Sequence, residues 1–216
     1  MNVLLKKGAE ASLYLSDWYG KCVVIKQRLP KAYRPPQLDQ TIRRYRTVHE
    51  PQLMHEAKRA GVPTPAIFMV DVDNAIIVME YIEGHQVKLL LDGFNKEDRA
   101  ELCCKIGGEI AKLHIHGIVH GDLTTSNLIL SREGTLFFVD FGLGDKTEEM
   151  EPQGVDLHLL KRALQSTHFE HADECFMAVL KGYASIVGKT KFASVCEKIG
   201  EIEKRGRYVA ERQTDK

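Results

Sequence analysis

The sequence HGDLTTSNLIL, residues His120 to Leu130, constrains the fold more than any other stretch of this chain. Asp122 lies five residues before Asn127 in a short polar turn, and the apolar run that follows is typical of a strand. An aspartate on such a loop can orient a hydroxyl while the asparagine amide oxygen reaches a magnesium ion, which is the arrangement that phosphoryl transfer from ATP requires. The alternative is a polar hairpin in which both residues form only local Asx turns.

A second apolar segment, FFVDFGLG, ends at Asp140 in the tripeptide Asp-Phe-Gly. This tripeptide supplies a metal-binding aspartate in kinase-like sites. Two neighbouring strands would then present Asn127 and Asp140 side by side, so we expect both to hold Mg²⁺. The two motifs together favour the phosphoryl-transfer interpretation over the hairpin.

Two segments near the amino terminus could contact the phosphates of a nucleotide. Strand KCVVIKQR places Lys26 after an apolar run, as in the Val-Ala-Ile-Lys pattern in which a strand lysine reaches the α and β phosphates. The turn KGAEAS, between two predicted strands, is rich in small residues that allow backbone amides to approach a phosphate. The turn contains a single glycine, so an ordinary hairpin remains an open alternative. For Lys26 the alternative is a solvated lysine at the end of a strand.

A helical pattern runs from Leu38 to Ala60 and contains Pro51. Thr47 and Glu50 have the spacing of a capping box, which predicts that a second helical segment begins at Thr47. Glu50 could therefore cap that segment or pair with Lys26, and we favour the pair, with Glu56 as the alternative partner.

The apolar strand pattern from Ala75 to Tyr81 ends in Glu-Tyr-Ile-Glu-Gly. In a two-lobed nucleotide site, the backbone of Glu80 and Ile82 would meet the adenine edge and Met79 would line the back of the pocket. A plain strand end remains the alternative.

The carboxyl-terminal half is mainly helical by period. A helix is predicted from Lys96 to Leu113, beneath the segment His120 to Asn127, which we call the catalytic turn. The spacing of His114, His116 and His120 could bring two imidazoles together, but the acidic residues and cysteine spacing of a zinc site are absent, so zinc is not favoured. Asp156 lies in the first turn of a helix predicted to begin near Val155. Its carboxylate either accepts hydrogen bonds from backbone amides of the catalytic turn or only interacts favourably with the helix dipole. Helix is also predicted over residues 170–204.

Composition limits the compartment and the partners. The 216 residues allow one domain or two small lobes, and 30 basic residues balance 30 acidic ones, so no global field attracts nucleic acid or an anionic membrane. Five cysteines without CxxC spacing fit reduced intracellular thiols. Neither a leader-like apolar region nor a membrane-spanning apolar run occurs, so we expect a cytoplasmic protein, with the nucleus also open if the source is eukaryotic.

Taken in order, eight segments resemble one family: KGAEAS, VVIK, KAYRPPQLD, RYRTVHE, HGDLTTSN, DFGLG, GVDLHLLKRALQSTH and KRGR. The chain is similar to the small atypical kinase of the KEOPS (EKC) complex, which is related to RIO-type kinases, and the similarity extends from Lys6 to about Arg207. The resemblance implies an α+β fold of the minimal bilobal protein-kinase type without a full activation segment. It implies an antiparallel-sheet N-lobe over residues 1–81 and a mainly helical C-lobe over residues 82–216.

The same resemblance implies an ATP- and Mg²⁺-dependent serine/threonine kinase or ATPase. Such a protein binds the threonylcarbamoyl-transferase subunit and other KEOPS subunits, supports threonylcarbamoyladenosine formation on tRNA, and is expected to be monomeric outside the complex. Asp122 would be the catalytic base, Asn127 and Asp140 the metal ligands, and Lys26 with Glu50 the phosphate anchor. The remaining implied roles are nucleotide cover by Gly8, Ala9, Glu10, Ala11 and Ser12, loop support by Asp156, and contact with the partner or tRNA by Arg205 and Arg207.

Several departures from ordinary protein kinases favour hydrolysis over protein phosphorylation. Gly121 replaces the arginine of the His-Arg-Asp motif, Thr124 stands where a phosphate-binding lysine would be, and no Ala-Pro-Glu motif appears. Little room remains between Asp140 and Asp156 for a segment that docks a peptide. Water is therefore the expected acceptor of the γ-phosphate.

Two other functions remain open. Small-molecule kinases of the aminoglycoside or choline type also carry HGDxxxxN, although they need a helical insert, and we expect this C-lobe to be too short to contain one. A non-catalytic scaffold that binds nucleotide for stability is the second alternative.

Overall fold

The computed structural model describes the backbone of residues 3–214 and the side chains of residues 3–205. Its amino-terminal part is a five-stranded antiparallel sheet with the strand order β1-β2-β3-β5-β4, against which helix α1 packs. The elements are β1 (Val3–Lys7), β2 (Ser12–Trp18), β3 (Lys21–Gln27), α1 (Pro36–Arg59), β4 (Ile67–Asp71) and β5 (Ile76–Glu80).

Strand β3 lies in the middle of this sheet and carries Lys26. In the register of the ladder, Lys26 is opposite Leu13 of β2 on one side and Ile77 of β5 on the other. The β1–β2 turn closes above it with a hydrogen bond from the Gly8 amide to the Ala11 carbonyl at 2.9 Å. The predicted strand and turn pattern therefore places the lysine beneath the small-residue turn.

Helix α1 is a single helix of 24 residues with Pro51 inside it, so the prediction of a second segment beginning at Thr47 is wrong. Thr47 is buried, and its hydroxyl donates to the Arg43 carbonyl at 2.7 Å, one turn earlier. A proline lacks the amide that would bond to the residue four positions before it, but this loss does not end the helix here. Because the side chain of Pro51 is buried, its packing helps to offset the missing hydrogen bond.

The carboxyl-terminal part is mainly helical. Two small sheets flank the catalytic turn, one with the order β6-β8-β9 and one pairing β10 with β7. The elements are β6 (Gly84–Gln86), α2 (Val87–Leu90), α3 (Lys96–Ile115), β7 (Ile118–Val119), β8 (Leu128–Ser131), β9 (Leu136–Phe138), β10 (Asp145–Lys146), α4 (Met150–Thr167), α5 (Ala172–Val187) and α6 (Lys189–Thr214).

Helices α3 and α5 are packed backbone against backbone in this half. A Cβ at Gly107 would lie 1.9 Å from the Val179 carbonyl oxygen, and one at Gly182 would lie 1.9 Å from the Cys104 carbonyl oxygen. Such close packing fixes α3, and with it the turn that follows its carboxyl end.

Two helix boundaries differ from the predictions. Helix α4 begins at Met150 rather than near Val155, and the predicted helical stretch over residues 170–204 is divided at Gly188, which has a φ of 78°. Glycine adopts this left-handed conformation readily, which allows the chain to turn between α5 and α6.

The observed architecture confirms the predicted α+β kinase-like fold, with an antiparallel-sheet N-lobe and a helical C-lobe. We propose the lobe boundary after Tyr81, between β5 and β6, which belong to different sheets. No helix in the described part of the chain is long and apolar enough to cross a membrane.

Candidate active site

The side chains of Lys26, Glu50 and Asp140 meet in the cleft between the lobes. Lys26 Nζ lies 2.8 Å from Glu50 Oε1 and 2.7 Å from Asp140 Oδ1. Lys26 is 5% exposed and Glu50 is 1% exposed, whereas the Asp140 side chain is 49% exposed. Three residues that are distant in sequence thus form one ion cluster that opens to solvent only on the Asp140 side.

Arg28 completes this cluster and was missed by the sequence reasoning. Its guanidinium forms an ion pair with Glu50 Oε2, and its Nη1 donates to the Thr47 hydroxyl at 3.4 Å. Arg28 is 2% exposed. Because side chains two apart in a strand share a face, the spacing of Lys26 and Arg28 was a signal that could have revealed this pair. Each oxygen of Glu50 therefore has its own cation, which fixes the carboxylate.

The charged groups in the cluster shift one another's pKa values. Burial lowers the pKa of Lys26, but Glu50 and Asp140 outweigh burial and raise it above its ordinary value. Burial likewise raises the pKa of Asp140, but the Lys26 ammonium outweighs it and holds that pKa below its ordinary value. Both groups are therefore charged at neutral pH.

The catalytic turn holds Asp122 and Asn127 against each other. Asn127 Nδ2 donates to the Asp122 carbonyl and to its Oδ2, both at 2.9 Å. Because the amide nitrogen is used in this way, the amide oxygen is the atom that Asn127 can offer to a metal. The turn therefore orients a carboxylate and an amide oxygen just before the start of strand β8.

Asp156 anchors the catalytic turn from below. Its carboxylate accepts the amides of His120 at 2.6 Å and Gly121 at 2.8 Å. His114 Nε2 lies 3.3 Å from the same carboxylate, and His114 Nδ1 lies 3.0 Å from the Tyr183 hydroxyl. All three side chains are buried, and burial raises the pKa of Tyr183 above its ordinary value. The sequence indicated Tyr183 only as a core residue, and its role in anchoring the turn to α5 was not predicted.

His120 and Phe141 pack together behind the cleft. His120 Nε2 lies 3.0 Å from the Val139 carbonyl, and the two ring centroids are 4.5 Å apart. Both residues are fully buried. The Asp-Phe-Gly segment is therefore held with its phenylalanine inside the C-lobe and its aspartate facing Lys26.

The backbone conformation and packing at position 121 explain why glycine stands there in place of the arginine of the His-Arg-Asp motif. Its φ is 77°, and a Cβ there would lie 2.0 Å from the Leu143 carbonyl oxygen. The segment after Asp140 packs directly on the turn, and helix α4 begins soon afterwards at Met150. In this described stretch, no long activation segment lies between them.

Two cavities open into the cleft, and both are lined by Lys26 and Asp140. The inner cavity measures about 320 Å³ and lies against strands β3 and β5 and the chain that follows β5. The loop cavity measures about 130 Å³ and lies beneath the β1–β2 turn. The residues that characterise the inner cavity are Val24, Met79, Glu80, Ile82, Asn127 and Ile129, and those that characterise the loop cavity are Gly8, Glu10, Ala11, Arg28, Arg46 and Asp122.

Some of the proposed nucleotide contacts lie away from the cavities or are already paired. Ala9 is exposed at the tip of the turn and Ser12 is buried at the start of β2. The Glu80 amide donates to the Ala66 carbonyl at 2.8 Å, and the Glu80 carboxylate accepts the Ala66 amide at 2.9 Å. The backbone amide of Glu80 is therefore already occupied and does not face a nucleotide.

The predicted tail contacts lie outside the cleft or outside the described side chains. Arg205 is exposed on α6 and forms an ion pair with Glu151 at 2.8 Å. Arg207 lies beyond residue 205, outside the side chains that the structure describes. The structure therefore does not bring Arg205 together with the other site residues.

The donor set of the cleft fits magnesium better than zinc. Within residues 3–205, no group of three or more histidine, cysteine or acidic side chains is placed to hold a metal ion. Zinc sites need such a group, whereas Mg²⁺ is commonly held by one or two carboxylates together with phosphates and water. The half-exposed carboxylate of Asp140 beside Asn127 matches the second pattern.

Comparison with known proteins shows similarity over nearly the whole chain. The family model described as protein kinase domain matches residues 7–169. KEOPS complex subunit Bud32 from Pyrococcus abyssi is 50% identical and is covered over 96% of its length by 95% of this chain. The EKC/KEOPS complex subunit bud32 of Dictyostelium discoideum is 36% identical, with 96% of this chain and 83% of that protein aligned.

Two further comparisons concern a longer protein and a solved structure. A probable bifunctional tRNA threonylcarbamoyladenosine biosynthesis protein from Methanothermobacter thermautotrophicus is 46% identical, and 95% of this chain spans 36% of its length. The Rio2 kinase-ADP/Mg²⁺-phosphoaspartate complex from Chaetomium thermophilum has a TM-score of 0.63 at 17% identity, covering 93% of this chain and 70% of that one. At this identity, the similarity concerns the fold.

Proposed function

We propose a function from one premise: this chain belongs to the protein kinase domain family and, within it, to the Bud32 family of KEOPS complex subunits. The chain is an ATP- and Mg²⁺-dependent atypical kinase or ATPase that acts within a KEOPS complex and supports threonylcarbamoyladenosine formation on tRNA. The observation that carries this proposal is the convergence of Lys26, Glu50 and Asp140 beside Asp122 and Asn127 in one cleft.

The Lys26 ammonium is the phosphate anchor. Glu50 holds it from the buried side, and Arg28 in turn fixes Glu50, so the ammonium is oriented toward the cleft before a nucleotide arrives. The backbone of Gly8 and its neighbours in the β1–β2 turn covers the phosphates, while the apolar inner cavity receives the base beside Met79 and Ile82. An ordered site of this kind avoids the cost of reorganisation during transfer.

Asp140 and Asn127 would hold Mg²⁺ through a carboxylate and an amide oxygen. When bound, the ion neutralises charge that develops on the phosphate oxygens. Asp140 keeps its negative charge because its pKa is lowered by Lys26, so it can serve as a ligand at neutral pH. The Asn127 amide nitrogen remains with Asp122 and leaves the amide oxygen for the metal.

Asp122 orients the acceptor and takes its proton. Its carboxylate is held by Asn127 and lines the loop cavity, where the terminal phosphoryl group would lie. The short connection over residues 143–149 leaves no platform for a peptide, which favours water as the acceptor. ATP hydrolysis within the complex is therefore the proposed reaction.

The partners follow from the family. We propose that the chain binds the threonylcarbamoyl-transferase subunit and other KEOPS subunits, reaches tRNA through the complex, and is monomeric outside it. Arg205 is exposed on α6, and Arg207 follows it in the sequence, so both are proposed contacts with the partner or with tRNA.

The test is ATP turnover of the full chain with and without the transferase subunit, together with tRNA modification by the complete complex. Wild-type turnover should rise with the subunit, while Asp122→Ala and Asp140→Ala should lower it at least about 100-fold and still bind the subunit. Asp73→Ala is the matched control, because Asp73 is an exposed aspartate paired with Arg44 at 3.2 Å. Full tRNA modification by both active-site variants would establish a scaffold instead, and transfer to a small alcohol would establish a small-molecule kinase.

A further inference from the structure

Glu10, Arg34 and Arg46 form a cluster, here named the arginine clasp, that joins the β1–β2 turn to helix α1 and the loop before it. Arg34 Nη2 lies 2.9 Å from Glu10 Oε1, and Arg46 Nη1 lies 2.8 Å from Glu10 Oε2. Burial alone would raise the pKa of Glu10, but Arg34 and Arg46 outweigh burial and hold it below its ordinary value. One ionised carboxylate therefore occupies two guanidinium groups.

Asp39 holds the helix side of the clasp in place. This buried residue accepts a hydrogen bond from Arg43 Nε at 2.7 Å and from the Lys31 amide at 3.3 Å, and its Oδ1 lies 3.8 Å from Arg34 Nη1. The loop before α1 is thus tied to the first turns of the helix. Arg34 and Arg46 are presented from a fixed backbone, whereas Glu10 comes from a turn.

Arg46 lines the loop cavity, together with Lys26, Arg28 and Asp122. Lys26 and Arg28 are both held in place by the buried carboxylate of Glu50. Arg46 differs from them, because its partner is Glu10, whose side chain is 42% exposed. Water competes with such a half-exposed pair, so exchanging the partner of Arg46 costs little. Arg46 is therefore a cation of this cavity that an incoming anion can recruit.

We propose that Arg46 binds the terminal phosphate of the nucleotide and that Glu10 occupies Arg46 when no nucleotide is bound. This inference deepens the proposed function and rests on it. The terminal phosphoryl group must lie beside Asp122, and Asp122 and Arg46 line the same cavity. A guanidinium binds carboxylate and phosphate oxygens in the same forked geometry, so phosphate can replace Glu10 directly.

A role at the terminal phosphate has a specific consequence. ADP lacks the γ-phosphate and so has no group that reaches Arg46. The arginine would therefore contribute to binding of the triphosphate and not of the diphosphate, and it would supply positive charge where negative charge develops during transfer. A structural role for Arg46, in contrast, would affect both nucleotides equally.

The experiment is calorimetric titration of the full chain with Mg²⁺-ADP and with a non-hydrolysable Mg²⁺-ATP analogue. Arg46→Gln should weaken binding of the analogue at least about ten-fold and change ADP binding less than about two-fold. Arg46→Lys keeps the positive charge but lacks the forked guanidinium, so its affinity for the analogue should lie between those of the wild type and Arg46→Gln. Arg44→Gln is the matched control, since Arg44 is a neighbouring exposed arginine of α1 that pairs with Asp73 outside the cleft.

The outcomes separate the two proposals. ADP binding by Arg46→Gln shows that its fold is intact, and equal weakening for both nucleotides, or no weakening, would overturn the role of Arg46. If Arg46→Gln does not fold, Arg46→Lys provides the test: a preference for the analogue over ADP equal to that of the wild type would overturn the role of Arg46. Glu10→Gln should strengthen binding of the analogue about three-fold by removing the competitor, and weaker binding would overturn the part assigned to Glu10. A wild-type chain that binds neither nucleotide would overturn the proposed function as well.

Discussion

Gly121 and Leu143 are in backbone contact: a Cβ at position 121 would lie 2.0 Å from the Leu143 carbonyl oxygen. This contact joins the catalytic turn to the segment after the Asp-Phe-Gly tripeptide. Because Gly121 also has a positive φ, two separate constraints require glycine there.

Gly121→Ala should therefore lower the free energy of unfolding by more than the roughly 1–2 kcal/mol that a left-handed backbone conformation costs a residue with a Cβ. Gly134→Ala is the matched control, because Gly134 has a φ of 78° and nothing beyond its chain neighbours within 4 Å of the point where a Cβ would lie. Urea unfolding of both variants measures the difference, which we expect to reach at least about 2 kcal/mol. Equal losses would show that the Leu143 contact adds nothing.

Glu50→Gln should destabilise the chain strongly. The substitution leaves Lys26 and Arg28 buried without their shared anion, and breaking a buried pair in this way costs about 3–5 kcal/mol. Glu56→Gln is the comparison, since Glu56 pairs with Lys146 at 2.8 Å on the surface. We expect no measurable change in the urea midpoint of Glu56→Gln, and a larger loss in Glu56→Gln than in Glu50→Gln would overturn the assignment of Glu50 as the structural partner of Lys26.

Asp156→Asn should loosen the catalytic turn. The asparagine has one acceptor oxygen for the His120 and Gly121 amides, and its amino group would face a donor. We expect a loss of about 1–3 kcal/mol in urea unfolding, together with slower ATP turnover. Asp173→Asn, an exposed change in the first turn of α5, serves as the control. Normal turnover in Asp156→Asn would show that the turn does not depend on this anchor.

The pair between Asp140 and Lys26 should make stability depend on pH in the acid range. Because the folded pKa of Asp140 lies below its ordinary value, the stabilisation is complete above about pH 4 and is lost as the pH falls through the folded pKa. Without nucleotide, the unfolding free energy of the wild type should therefore fall more steeply below this pH than that of Asp140→Asn. Chemical denaturation at successive pH values measures both slopes, and Asp73→Asn should follow the wild type.

Local patterns were sufficient to predict the kinase-like fold and most of the residues that meet in the cleft, although not Arg28. The strand that carries Lys26, the polar turn with Asp122 and Asn127, and the apolar segment that leads to Asp140 each have a short and recognisable sequence. Their order along the chain is what the kinase-like fold requires, and the structure confirms that fold.

Side-chain pairs between residues that are far apart in the sequence could not be predicted from local patterns. Thr47 and Glu50 have the spacing of a capping box, yet Glu50 is held by Lys26 and Arg28, which lie more than twenty residues earlier. A burial-driven tertiary contact outweighs a local preference here. The pairs of Glu10 with Arg34 and Arg46 are of the same long-range kind.

The burial of Phe141 against His120 has a consequence for inhibitor design. Compounds that reach behind the cleft by expelling this phenylalanine would have to disrupt a fully buried ring contact and the packed segment next to Gly121. Compounds that occupy the inner cavity beside Met79 meet no such barrier. Selective chemical probes of this chain should therefore be sought among ligands that accept the phenylalanine in its inward position.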